Sequence, residues 1–143
     1  ARQIIHILQK TGSDFAFTVN AHDGLDEVTL TNYSEVFELN QSMVSESIRF
    51  DPRSLDFEWA DEEDLKGGDA EENAEIIRNI MKDKATDAQQ GIVLLNATFA
   101  IRASGKVSKL EEARELALDS IRSGNANRAL EAFVESTRDI ANS

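Results

Sequence analysis

Apolar residues recur at helical spacing from the start of the chain. Ile4, Ile5, Ile7 and Leu8 are followed by Thr11-Gly12, a C-terminal stop, and together they predict an opening helix. The period then changes. Phe15-Ala16-Phe17-Thr18-Val19 is a continuous apolar, aromatic and β-branched run, which predicts a strand buried on both faces. Residues 20–27 are polar and contain Gly24, so they read as a loop, and residues 28–30 read as a short extended piece. Residues 36–39 and 45–50 read as two strands of a hairpin turning at Asn40-Gln41-Ser42. Asp51-Pro52, with the only proline in the chain, ends that unit.

Beyond Gly68 the pattern is helical. Asp69 with Glu72 forms a capping-box pattern ahead of the stripe Ala70, Ala74, Ile77, Ile80 and Met81. Asp87 with Gln90 repeats it for a second helix that runs to about Ser104 and stops at Gly105. That helix is apolar almost all round (Ile92, Val93, Leu94, Leu95, Ala97, Phe99) and is expected at the centre of the core. Ser108 with Glu111 predicts the start of a third helix, with Leu110, Ala113, Ala117 and Ile121 facing inward and Gly124 closing it. Asn125 is the expected cap of a fourth, where Ala126, Ala129, Leu130, Phe133, Val134 and Ile140 keep the 3.6-residue period.

These elements define an α/β fold: part of a mixed, mostly parallel sheet covered by helices, with a C-terminal half nearly all helical. Two or three strands are little sheet for so many helices to cover. The chain also opens on Ala1, already inside a helical pattern. The expectation is a C-terminal fragment of a larger enzyme, with exposed sheet edge and exposed helix faces where upstream strands would pack.

Charge changes the list of partners. The 143 residues carry 27 acids against 15 bases, a formal net charge of −12, and neither nucleic acid nor anionic lipid suits such a surface. Residues 56–75 hold ten of the acids and one base, Lys66, so most of the excess sits in one stretch. The run Asp61-Glu62-Glu63-Asp64 is contiguous and its glycines follow it, which fails the alternating spacing of a calcium loop. It reads as a solvated face. No window reaches the ~18 apolar residues of a membrane span, and no export signal opens the chain, so a cytoplasmic location is expected. Cysteine is absent, which excludes disulfides, thiolate metal sites and cysteine nucleophiles.

The candidate chemistry lies in the loop after the first strand, since ligands of open α/β sheets bind at carboxyl ends of strands. Asp26 and Glu27 offer two adjacent hard oxygen ligands beside Gly24, in the style of Mg²⁺, which keeps waters and substrate phosphates. From the residues alone, a solvated turn is the leading reading and a metal site the lesser one. His22 reads either as a general base or as a loop histidine bonded to backbone. His6 lies within the opening helix. Asn96, in the middle of the most apolar helix, needs hydrogen-bond partners, and a structural bond to nearby backbone is the expected one. Gly67-Gly68-Asp69 opens a helix, but its own acids repel phosphate there.

Three segments in order carry a resemblance. Asp23-Gly24-Leu25-Asp26-Glu27 resembles the DGLDE loop of the anthranilate phosphoribosyltransferase family, Gly67-Gly68-Asp69-Ala70-Glu71-Glu72-Asn73-Ala74 its GGDAxENA helix start, and Ile92-Val93-Leu94-Leu95-Asn96-Ala97 its IVLLNA helix. The resemblance covers essentially the whole chain, as residues 1–143 of the C-terminal portion of the family's α/β domain. It implies transfer of a phosphoribosyl group from phosphoribosyl pyrophosphate to anthranilate in tryptophan biosynthesis, by a homodimer in the intact enzyme. It also implies Mg²⁺ as cofactor, with Asp26 and Glu27 as its ligands. The family often has His-Gly just ahead of this loop, where this chain has Asn20-Ala21, so His22 inherits no role. The family's glycine-rich phosphate loop, basic phosphate-binding segment and anthranilate-binding arginine lie upstream of these residues, and the chain by itself is expected to be inactive. A pyrimidine nucleoside phosphorylase, another aromatic-amine phosphoribosyltransferase and a non-catalytic acidic module binding a basic partner are the alternative readings.

Overall fold

The computed structural model describes residues 1–141. Helix α1 (Arg2–Lys10) lies across one face of a four-stranded sheet, burying Ile5 completely and packing Leu8 and Ala1 with Phe37, Leu39, Ala16 and Val44. It ends where the sequence predicts: the Thr11 hydroxyl donates to the Leu8 carbonyl at 3.0 Å, and Gly12 takes a φ of +88°. Strand β1 (Phe15–Ala21) pairs with β2 (Ser34–Asn40), from Phe15 opposite Asn40 to Ala21 opposite Ser34. Gln41 and Ser42, both at positive φ, turn the chain into β3 (Met43–Val44), as a type I′ hairpin turn requires. β4 (Ile48–Phe50) then rejoins the same edge of β2.

Three expectations are corrected in the sheet. Every strand pairing among the described residues is antiparallel, where a mostly parallel sheet was expected. The connections explain it. A parallel pair needs a long crossover, usually a helix, and here a loop without helix joins β1 to β2 while a two-residue turn joins β2 to β3. Of the expected strand over residues 45–50 only Ile48–Phe50 is strand, and the arm begins earlier, at Met43–Val44, with a break between. Between the pairs Leu39–Val44 and Val36–Ile48, the β3–β4 segment carries one residue more than β2, so it bulges. Ser45 bridges the break: its amide donates to the Glu38 carbonyl and its hydroxyl accepts from the Glu38 amide, both at 2.9 Å. Finally, β1 is half-buried rather than enclosed, because among the described residues it pairs on one side only.

The opposite sheet face is covered by α3 (Asp87–Ala103), the central helix. Phe99 stands edge-on to Phe17 and Phe50, with ring centroids 5.2 and 5.1 Å apart, and Leu95 is fully buried beside it. Arg102, at 5% exposure, reaches from the last turn of α3 to the carboxylate of Glu38 on β2, passing the rings of Phe15 and Phe17. α4 (Leu110–Arg122) packs along α3 through buried Ala113, Ala117 and Ile121, as their spacing predicts. α2 (Ala70–Met81) buries Ile80 on the same core. α5 (Asn125–Ala141) lies on α4 and α2 and buries no residue fully; Phe133 is 67% exposed.

Helix starts follow local chemistry, with three shifts, one of them at α5, where Asn125 is the first helical residue rather than the cap. Asp69 caps α2 with Glu72 returning the bond to its amide, and the Asn73 side chain pairs with both polar groups of Gly68 at 3.0 and 2.9 Å. A Cβ at Gly68 would stand 1.8 Å from the Glu72 carboxylate, so glycine is what leaves this cap its room. The N-cap of α3 is Thr86 with Gln89, not Asp87 with Gln90, and α4 starts after Lys109 with no side-chain cap from Ser108. The Thr86 hydroxyl, one residue earlier, accepts from the Gln89 amide, the Thr86 carbonyl takes the Gln90 amide, and Asp87 becomes a first-turn acid. The acidic stretch is spent in this way: Asp61 and Asp64 close a capping box on the 3₁₀ turn Glu62–Leu65, and its remaining carboxylates are exposed.

Candidate functional site

The loop between β1 and β2 runs from His22 to Tyr33 and is tied at several points. Gly24, at φ +95°, lets Asp23 curl its carboxylate back so that Oδ1 accepts from the Leu25 amide at 3.0 Å. The Leu25 carbonyl in turn accepts from the Ala21 amide at 3.2 Å. The other oxygen of Asp23 accepts from the Thr31 hydroxyl, whose Oγ1 lies 3.1 Å from that of Thr29. Fully buried Thr29 has its amide held by the Ser34 hydroxyl at 3.2 Å. A short polar network therefore closes the base of the loop.

Burial pushes the Asp23 carboxyl upward, but hydrogen bonds from Thr29, Thr31 and the Leu25 amide outweigh it and hold the group below its ordinary 3.8. A depressed folded value means the fold favours the carboxylate. The stability it adds is complete above the unfolded value and is lost as pH falls through the folded one. Urea denaturation between neutral pH and pH ~2 is therefore expected to show a shallower acid-side loss in Asp23→Asn than in the parent chain. Equal acid slopes would contradict that origin.

Asp26 and Glu27 follow, both exposed, and the four ion pairs among the described residues use neither. Immediately after them the chain dives inward: Val28, Thr29 and Leu30 are buried against the core, but outside the sheet and with a bend at Leu30, so the short extended piece expected there is not a strand. Asn96 of α3 receives it. The Val28 amide donates to Asn96 Oδ1 at 3.1 Å, and Nδ2 donates to the Val28 carbonyl at 2.8 Å and to the Ile92 carbonyl at 3.0 Å. Bonding of Asn96 to backbone is as expected; that the backbone is the candidate loop is visible only in the structure.

Asp26 and Glu27, neighbours in sequence, thus both stand exposed on an open loop. His22 is exposed, and its amide donates to the Tyr33 carbonyl at 2.9 Å. His6 lies on the exposed side of α1, 3.5 Å from the Gln9 side chain. Sequence reasoning passed over Asp23, Thr29, Thr31 and Ser34. Their signal was available in outline: short polar side chains clustered at both ends of one loop, the residue types that tie turns to their own backbone.

The donor set fits one kind of cation. Among the described residues no three His, Cys, Asp or Glu side chains converge on a common point. A closed zinc or calcium cage is therefore absent from those residues. Two solvent-facing carboxylates suit Mg²⁺, which retains waters and takes further oxygens from a phosphorylated substrate.

The sheet carries helices on both faces, and the loop after β1 presents Asp26 and Glu27 to solvent, the arrangement of a small α/β domain with an exposed acidic loop. The chain belongs to the glycosyl transferase family, a/b domain, whose model matches residues 1–127. The curated relatives it matches include anthranilate phosphoribosyltransferases. The one from Geobacter sp. (strain M21) is 39% identical over 137 residues, which is 96% of this chain and 38% of that protein. Two solved structures of the Saccharomyces cerevisiae enzyme, each 25% identical, superpose on 87% of this chain. One, in complex with PRPP and Mg, has a TM-score of 0.76 over 34% of its length. The other, in complex with 4-fluoroanthranilate, has 0.77 over 36%. The chain spans about two-fifths of the length of the curated relatives it matches. No helix among the described residues is long and apolar enough to cross a membrane.

Proposed function

We propose that this chain is the C-terminal portion, residues 1–143, of the α/β domain of an anthranilate phosphoribosyltransferase, in which Asp26 and Glu27 hold Mg²⁺; residues 142 and 143 lie outside the described residues. The observation that carries the reading is a pair of exposed, unpaired carboxylates on a loop anchored in the core by Asn96, in a chain whose relatives include a transferase solved with PRPP and Mg. The substrates in this reading are phosphoribosyl pyrophosphate and anthranilate, and a homodimer in the cytoplasm belongs to the same proposal.

The bound cation supplies charge stabilisation for departing pyrophosphate, worth several kcal/mol without proton transfer. The chain's own residues do the holding. Asp26 and Glu27 present oxygens to solvent, where a polyanionic substrate can approach an otherwise acidic surface only across a cation. Asp23, Thr31 and Asn96 keep the segment in one shape, so that little ordering remains to be done when substrate arrives.

The test is a turnover assay on the complete protein that carries this chain. Loss of anthranilate fluorescence is expected when phosphoribosyl pyrophosphate and Mg²⁺ are both supplied, and no loss when either is withheld. Release of base from a pyrimidine nucleoside on addition of orthophosphate, without anthranilate consumption, overturns the transferase reading in favour of a phosphorylase. The 143-residue chain assayed alone is expected to be inactive, because it spans about two-fifths of the length of the curated relatives it matches, and Asp26 and Glu27 would be only part of a substrate site.

A further inference from the structure

We infer that Asn96 is a positioning residue for Asp26 and Glu27, an inference that rests on the metal reading above. The Val28 N–H belongs to the peptide group joining Glu27 to Val28, so its bond to Asn96 Oδ1 sets the plane of that peptide and with it the backbone torsion of Glu27. The bond from Nδ2 to the Val28 carbonyl fixes the next peptide as well. The third bond, to the Ile92 carbonyl one helical turn back, locks the Asn96 side chain itself. Both amide protons are thereby used, and only one orientation of the carboxamide satisfies all three partners.

The other side of the pair is tied independently. Leu25 is held through its amide by Asp23 and through its carbonyl by the Ala21 amide. Asp26 and Glu27 are the two residues between these tied points, and no sheet pairing constrains them. Asn96 sits on the central helix beside fully buried Leu95, so the loop is referenced to the helix at the centre of the core. Leucine or alanine would serve the apolar interior of α3 better as helix formers. What asparagine adds is the double bond to the loop.

Mn²⁺ is the probe, with binding read from water-proton relaxation and the EPR signal of free ion, on the complete protein. Asp26→Ala and Glu27→Ala establish that the ion binds at this loop. Asn96→Leu, which keeps core volume, and Asn96→Ala are each expected to weaken Mn²⁺ binding about tenfold, the usual cost of losing a group that orients a metal ligand. Thr98→Val is the structural control. Thr98 is fully buried on the same helix and donates only to the Leu94 carbonyl, so Mn²⁺ binding should be unchanged. Amide exchange at Val28 should accelerate in the Asn96 variants and not in Thr98→Val. If both carboxylate variants bind Mn²⁺ like the parent, the metal reading itself falls. If they weaken binding and Asn96→Leu does not, or if Thr98→Val weakens it as much as Asn96→Leu, the positioning role is overturned.

Discussion

Replacing Glu38 by alanine is expected to cost about 3–5 kcal/mol of stability, measured by urea denaturation, because it strands a buried guanidinium. Arg102 is 5% exposed beneath the sheet, its side chain walled by Phe15 and Phe17, and among the described residues Glu38 is its ion-pair partner. Removing the carboxylate takes away the attraction and leaves the desolvation cost of the cation unrecovered. Arg102→Met combined with Glu38→Leu is expected to recover most of that loss, since a well-packed apolar pair can replace a buried ion pair at little cost. Those two outcomes together separate burial from surface attraction. A Glu38→Ala cost below about 1 kcal/mol would mean that the pair behaves like an exposed salt bridge.

Asp26→Ala and Glu27→Ala should each lower turnover by ~10²–10³-fold in the complete protein, the scale of removing one preorganised stabiliser of transition-state charge. Raising Mg²⁺ should restore part of the loss in either single variant, because one carboxylate and the substrate's own phosphates remain as ligands. Stability should move by no more than about 0.5 kcal/mol, since both side chains are exposed and outside every ion pair of the described residues. This contrast is what distinguishes the loop from Glu38: one site alters rate without stability, the other stability first. An unchanged Mg²⁺ dependence of kcat/KM in both variants would remove the metal assignment.

Much of this architecture was legible along the chain, for a physical reason. The stop at Thr11-Gly12, the Asp69–Glu72 cap and the inward stripe Ala113, Ala117 and Ile121 are all set by neighbours within one or two helical turns. Where two local solutions compete, the sequence picks less sharply. Thr86 and Asp87 can both cap α3, and Ser108 loses to a start after Lys109 because tertiary packing sets where α4 begins to lie against α3. The expected strand over residues 45–50 coincides with β4 only from Ile48 and misses Met43–Val44, because the segment carries one residue too many for an unbroken ladder against β2.

By itself, the sequence determined the helices, the cap of α2, the type of loop after β1 and the two carboxylates it carries. These are properties of side-chain period and of polar groups bonding to nearby backbone. Only the tertiary structure decided the antiparallel sense of the sheet, the partner of Arg102 and the partner of Asn96. The Arg102–Glu38 pair spans 64 positions and the Asn96–Val28 pair spans 68, and nothing in local propensity selects one distant partner over another. Such contacts are chosen when the sheet and α3 close on each other, because burying an unpaired guanidinium or peptide costs more than any local preference supplies. Asp26 and Glu27 could be read from the chain; what holds them in place could not.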